Sequence, residues 1–265
     1  MVLSAQRVAD AVRAWRWVPP DARSAATDEY ELIGYPPGYG VPTQLTVRQP
    51  VQAPDGLLRE VGRAAADWGR SSVGWWLDAD AADPLSLAVR ARPGRVAERV
   101  QVLAYDLAAG LPDLGVPADV EAGLVRDERT LRAADLVSRE VWGGAEPSED
   151  DTAERVRALS AEPAEQSTFV RAVCFVDGDP ASTGGMTFAD DVARLWGAAS
   201  RPRWRGRGAY RAVLAERLAL ARRRDAAFAL VSGRAETSAP ILRRAGFADF
   251  GLRECYEVEV AELVR

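Results

Sequence analysis

Arg203-Trp204-Arg205-Gly206-Arg207-Gly208-Ala209 is the stretch on which the reading of this chain turns. It stands between a β-prone run at 192–199 and a segment from Ala209 to about Arg224. In that segment Tyr210, Val213, Leu214, Leu218 and Ala221 fall on one helical face. The order is therefore strand, glycine-containing loop, helix. Gly206 and Gly208 remove side chains where a backbone has to approach a ligand closely. The first turn of the helix points unpaired N–H groups and the positive end of its dipole into the loop. Arg201, Arg203, Arg205, Arg207 and Arg211 add charge that reaches phosphate oxygens. An anion, most simply a pyrophosphate, is the expected ligand. The run is not a Walker loop, because the Lys-Ser/Thr pair is missing, and it lacks the third glycine of the dinucleotide fingerprint.

The flanks extend the pattern in both directions. Toward the C-terminus, residues 227–231 read as a strand. A short helix then starts at Thr237 or Ser238, tolerates Pro240 in its first turn and ends at Gly246. Residues 247–250 and 254–260 read as paired closing strands. Toward the N-terminus, residues 169–176 and 181–188 form a hairpin about Asp177-Gly178-Asp179-Pro180. Before it come a strand at 120–126, a helix carrying Leu131, Ala134, Val137 or Ser138, and Val141 on one face and stopped at Gly143-Gly144, and an acid-rich helix start at Ser148. The first half carries a fainter copy of the later part. Leu57, Leu58, Val61, Ala65 and Trp68 make a helical stripe, 73–77 a strand, 83–94 a short helix ending in glycine, and 99–107 a closing strand. This repetition predicts an internal duplication, with modules at 1–114 and 115–265 and a boundary in the Gly/Pro-rich segment 110–117. Residues 30–42, with Gly34, Pro36, Pro37, Gly38, Gly40 and Pro42, read as a loop. The fold class is mixed α/β.

Composition narrows the chemistry. The 265 residues contain no His, Lys or Asn, and all 34 basic residues are Arg against 39 acids, a net charge of −5. Imidazole chemistry, Schiff bases and a lysine phosphate loop are excluded. Cys174 and Cys255 are too far apart for a zinc spacing, so no metal is expected and a reduced, cytoplasmic protein is. The acidic balance argues against nucleic acid as partner. No segment is long and apolar enough for a membrane span, and the N-terminus from Met1 and Val2 lacks the apolar core of a secretion signal.

Strand, Arg-x-x-Gly-x-Gly at Arg203, Gly206 and Gly208, helix, strand, and a later helix ending in Gly246-Phe247 resemble the GNAT (GCN5-related) N-acetyltransferase superfamily. Pro202 also stands where that family usually has it. The resemblance spans roughly residues 120–260. The first half then looks like a degenerate copy, with residues 47–54 where the glycine loop should be. Two GNAT-like modules in tandem, the second with an intact acetyl-CoA loop, are the expected architecture. The resemblance implies acetyl-CoA as co-substrate and a small-molecule amine as acceptor. Backbone amides from Arg203 through Arg205, Gly206, Arg207 and Gly208 to Ala209 and Tyr210 would hold the pyrophosphate. The strand end Ala198, Ala199 and Ser200 would pair with the pantetheine arm.

The sequence departs from the family at the chemistry. Leu242 stands where many members place a tyrosine as acid for the departing thiolate. Thr237 and Ser238 stand where many have an asparagine, and Ser238 is the hydroxyl expected to reach the pantetheine. Tyr256 and Cys255 point to opposite faces of the closing strand, and Tyr256 is the candidate catalytic acid. Asp190 and Asp191 are candidates for a base acting through water, or a solvated hairpin pair. Trp75, Trp76, Trp142 and Trp196 line a substrate cavity or pack the core. Arg222, Arg223 and Arg224 reach a 3′-phosphate or close a helix end. The expected activity is acetyl transfer by a monomer or homodimer, with a CoA-binding module that turns nothing over as the alternative.

Overall fold

The computed structural model describes residues 3–15, 18–19, 22–36 and 41–265. It divides into two compact units. The glycine-loop unit contains Leu103–Ser232 and Pro240–Phe250, together with the N-terminal helix as far as Arg13. The companion unit contains Ala14–Val102, Gly233–Ala239 and Gly251–Arg265. The segmentation does not follow a single cut at 114/115, because the C-terminal strand belongs with the first half.

In the companion unit, β1 (Arg23–Ala26), β2 (Tyr30–Gly34) and β3 (Thr43–Val47) form an antiparallel meander. Helix α2 (Pro54–Asp67) crosses over to β4 (Ser72–Asp78), which runs parallel to β3. Helix α3 (Pro84–Arg90) then leads to β5 (Gly94–Asp106). Leu57, Leu58, Val61 and Ala65 on α2 are buried with Leu32, Leu45, Val73 and Trp75 of the sheet. The helical stripe expected at 57–68 is thus the core face. Asp83 caps α3, accepting from the Leu85 and Ser86 N–H groups at 3.1 and 3.0 Å, and Pro84 follows at the first helical position.

The loop expected at 30–42 starts too early. Tyr30, Leu32 and Ile33 are buried and make β2, because three apolar side chains outweigh the glycines and prolines that follow. Pro37, Gly38 and Gly40, like Met1 and Val2, lie outside the described residues.

The glycine-loop unit opens with α1 (Ala5–Ala14). Strand β6 (Val120–Leu124), helices α4 (Glu128–Trp142) and α5 (Glu149–Ala161), and the meander β7 (Phe169–Val176), β8 (Asp179–Ala189), β9 (Val192–Ser200) follow the end of β5. Helix α6 (Ala209–Arg223) crosses over to β10 (Phe228–Arg234), parallel to β9. Helix α7 (Ser238–Arg244), strand β11 (Ala248–Glu259) and α8 (Val260–Leu263) complete the chain. Meander, helix, parallel strand, short helix, long strand thus occurs twice, as β1-β2-β3-α2-β4-α3-β5 and β7-β8-β9-α6-β10-α7-β11.

The expected pair of closing strands is one continuous strand, and its partner is elsewhere. Arg253–Glu259 of β11 runs antiparallel to Ser72–Asp78 of β4. Strand order is β1-β2-β3-β4-β11-β5 in the companion unit and β10-β9-β8-β7-β6 in the other. Among the described residues no helix is long and apolar enough to cross a membrane.

Candidate acetyl-CoA site

The glycine loop is built from a strand end, a 3₁₀ turn and an uncapped helix start. Strand β9 pairs with β10 only from Val192 to Leu195. It then runs on to Ser200, paired with β8 alone, among the described residues. Gly197 takes φ +56°, and the β8–β9 register shifts between Thr183 and Gly185. This bulge re-aims the strand. The result is a strand edge from Trp196 to Ser200 whose hydrogen-bonding groups face away from β8 and have no strand beside them among the described residues. The Ser182 hydroxyl, donating to the Ala199 carbonyl at 2.7 Å, ties the other edge down.

Pro202–Trp204 makes the 3₁₀ turn, and Gly206 and Gly208 follow at φ +78° and +85°. Both lie in the left-handed region that favours glycine. Gly208 is also the N-cap of α6, and a Cβ there would come within 2.4 Å of the Pro117 ring. No side chain caps α6 and no acid stands in its first turn. Among the described residues, the N–H groups of Gly206, Arg207, Gly208, Ala209, Tyr210 and Arg211 donate to no group of the chain. A run of orphan amides at the positive end of a helix is an anion receptor. The apolar face read from sequence holds α6 down. Ala209, Val213, Leu214, Leu218 and Ala221 are buried, while Tyr210 is half-buried.

The arginines of the loop are engaged by acids that sequence reasoning did not connect to them. Arg203 pairs with Asp179 at 3.0 Å, and Arg207 with Asp177 at 3.0 Å and Asp119 at 3.3 Å. Asp177 and Asp179 are the acids of the β7–β8 turn. The available signal was Asp-Gly-Asp in a turn and alternating arginines in a loop. Arg205 donates through Nε to the Ser200 carbonyl at 3.3 Å. The buried Arg201 bonds Glu140 at 2.6 Å and the Pro180 carbonyl at 2.9 Å, so it braces the loop from below. The guanidiniums of Arg203 and Arg207 lie 5.5 and 5.1 Å from the Trp204 ring.

Arg217 is the residue the helix periodicity missed. It sits on the buried face of α6, donating to the carbonyls of Val213 at 3.3 Å and Gly185 at 3.1 Å. Gly184 leaves room for its guanidinium, and Gly185, on the next residue, leaves room for the Trp196 ring. Burial pulls the Arg217 pKa below its ordinary value, opposed by Tyr210. Burial raises the Tyr210 hydroxyl, with Arg217 acting in the other direction.

Of the other expected site residues, Tyr256, Cys255 and Ser238 belong to the companion unit and Leu242 to the glycine-loop unit. Tyr256 is packed in the companion unit, and its hydroxyl donates to the Arg92 carbonyl at 3.1 Å. Cys255, on the other face, is buried and its thiol is pushed up to about 12 by burial. Ser238 opens α7 in the companion unit. Leu242 is completely buried. Asp190 takes φ +54° in the β8–β9 turn and Asp191 pairs with Arg7, so both lie at the end of β9 remote from Ser200. The intervening strand, Val192–Ser200, spans about 25–30 Å, which removes either acid as a base beside the loop. Trp75 is core. Trp76 donates to Gln44 at 3.1 Å. Trp196 stacks on Phe169 at 4.6 Å and Trp142 is exposed. Arg224 donates to the Ser167 carbonyl and lies over the Phe188 ring, which fixes the end of α6.

The chain superposes on a GCN5-related N-acetyltransferase from Kribbella flavida over 97% of this chain and 96% of that one, with a TM-score of 0.70 and 18% identity. One from Sphaerobacter thermophilus gives 95% and 85%, 0.63 and 18%. A tandem GNAT protein from the clavulanic acid biosynthesis pathway gives 95% and 87%, 0.60 and 16%. No protein-family model and no curated protein sequence matches the chain. The fold is that of the GCN5-related N-acetyltransferases. Its particular form is the tandem one, two GNAT-like modules in a single chain.

Proposed function

We propose that this protein is an acetyl-CoA-dependent N-acetyltransferase acting on the amine of a small molecule. The observation that carries the reading is the unsatisfied N–H run from Gly206 to Arg211, next to the open edge of β9. Those amides fit a diphosphate, and the strand edge at Ala198, Ala199 and Ser200 fits the amide groups of a pantetheine arm as an added strand would. Arg203 and Arg207 are half-exposed, and their partners are solvent-exposed carboxylates. Exposed pairs of this kind hold by at most about 1 kcal/mol, so exchanging a carboxylate for a phosphate costs little.

Bound acetyl-CoA would supply the acetyl thioester. Transfer forms one N–C bond and breaks one C–S bond, while a proton leaves nitrogen and one is taken up by sulfur. Leu242 gives no proton, and the Tyr256 hydroxyl is occupied by Arg92. A thiol is already acidic, with a reference pKa of about 8.5, so the thiolate leaves without a dedicated acid and water protonates it.

The same two residues favour a second reading, a CoA-binding module without turnover. Titration with acetyl-CoA combined with an assay of thiol release separates the two. The transferase binds one acetyl-CoA per chain and releases thiol only when an amine is added. Binding without release under any amine selects the second reading, and absence of binding overturns both.

A further inference from the structure

The companion unit contains a cavity of about 490 Å³ lined by Val41, Val96–Arg99 and Arg234–Thr237. The volume suits a small polar metabolite. Its walls carry two carboxylates and two guanidiniums, and most of that charge is spent internally. Glu98 accepts from Arg234 Nε at 2.9 Å, and Arg99 gives its Nε to Glu254 at 2.8 Å. What is left over is specific. The two Nη groups of Arg99 have no partner among the described residues, and neither does the exposed carboxylate of Glu236. The Thr237 hydroxyl is likewise uncommitted among the described residues. Val41, Val96 and Ala97 supply an apolar wall.

The two uncommitted Nη donors of Arg99 and the unspent carboxylate of Glu236 are together complementary to a molecule that carries both an anionic and a cationic group. A simple alkylamine would satisfy Glu236 and leave the Nη donors of Arg99 unused. A simple carboxylate would do the reverse. A ligand with an ammonium and a carboxylate or phosphate engages both, and each contact is charge-assisted. The Glu98–Arg234 pair in the same lining is already made, so that part of the wall needs little ordering on binding. We propose that this cavity binds a small zwitterion, an amine that also bears an anionic group, and that this molecule is the acetyl acceptor. The second part rests on the acetyl-transfer reading; the first does not.

The test uses the full chain and matched probes: γ-aminobutyrate, butylamine and butyrate, with α- and β-amino acids as further zwitterions. Calorimetric binding without acetyl-CoA reads the cavity. A zwitterion should bind at least tenfold more tightly than the alkylamine and carboxylate. Glu236→Gln, an exposed position that leaves folding intact, should erase that margin, and Arg99→Gln should do the same from the anionic side. Neither should change acetyl-CoA affinity. Equal binding of all three charge types, no zwitterion binding, or an unaltered margin in Glu236→Gln overturns the cavity assignment. Thiol release with acetyl-CoA then reads the acceptor role. Zwitterion binding without release retains the cavity site and removes its acceptor role; acetyl-CoA titration in the same samples shows separately whether the glycine loop is at fault.

Discussion

The two units make the same connection with opposite electrostatics. In each, the third strand of a meander hands over to a helix that crosses to a parallel strand. At α6 the handover is glycine-rich, the N-cap is left-handed Gly208, the first turn has no acid, and the amides are free. At α2 the N-cap is Ala53 at φ −120°, Pro54 removes one N–H, and Asp55 sets a carboxylate in the first turn. Arg92 bonds that carboxylate at 2.7 Å and, with the hydrogen bond first and the charge second, holds Asp55 below the usual carboxylate range. A helix start that brings its own anion has no use for another. The backbone path is shared by the two modules; three or four residues at the handover decide whether the helix start keeps free amides or carries its own carboxylate.

The sharpest way to break this contrast is to give α6 what α2 has. Gly206 has open space around its Cβ position, and aspartate tolerates the left-handed region better than most residues. Gly206→Asp should therefore fold and lose acetyl-CoA affinity by a hundredfold or more, about 2.7 kcal/mol, by calorimetry. Retained affinity would mean that the anion sits elsewhere.

Gly208→Ala attacks the same loop sterically. The Cβ meets Pro117 at 2.4 Å on a backbone at φ +85°, so chemical denaturation should show a loss of about 2 kcal/mol. Unchanged stability would show that Pro117 gives way freely.

The ion pairs that brace only the glycine-loop unit can be separated from binding. Asp135 on α4 is held by Arg155 of α5 at 2.9 Å and Arg171 of β7 at 2.6 Å. Burial alone would raise its carboxyl, but the two guanidiniums together outweigh it and hold it below the ordinary range. A depressed folded value means that the unfolded chain binds the proton first. The stabilisation is complete above the ordinary carboxyl pKa and is lost as pH falls through the lower folded value. Asp135→Asn should cost about 1–2 kcal/mol at pH 7 with acetyl-CoA affinity intact, and the difference from the unaltered protein should close on acidification below about pH 4. A constant difference across that range would refute the ionic origin.

The smallest effect is expected from removing the companion helix's own anion. Asp55→Asn should leave the melting temperature nearly unchanged and the stoichiometry at one acetyl-CoA per chain, because Pro54 and the missing glycines still bar the site. A second equivalent site would show that charge alone separates the two handovers.

Local features of the sequence were legible because local chemistry decides them. Gly206 and Gly208, the stripe on α6, the Asp177-Gly178 hairpin turn and the short helix α3 each follow from residues within one or two turns of each other. The features that escaped depend on partners far along the chain. Nothing near Glu254–Val260 says that its neighbour is β4. The burial of β11 does not alternate, since Cys255 and Val258 are buried while most of its other residues are half-buried or exposed, and it names no neighbour. The surroundings of Tyr256 were hidden for the same reason: its ring and hydroxyl are placed by Arg92 and Gly94, far back along the chain. Arg217 was invisible because an arginine in an apolar stripe reads as a solvated interruption, and only paired glycines on β8 make room for it.

The return of β11 to β4 has a consequence for the order of events during synthesis. Ser72 and Glu257, hydrogen-bonded at 2.6 Å, lie 185 residues apart. Until β11 has been translated, β4 lacks the neighbour recorded for Ser72–Asp78, and its edge is a template for wrong pairing. At about 5–20 residues per second, that edge waits on the order of ten to forty seconds while the entire glycine-loop segment is made. Co-translational folding of this chain is therefore not sequential by halves. The module made first is finished last, and its sheet closes only when the end of the second module has been threaded back to it.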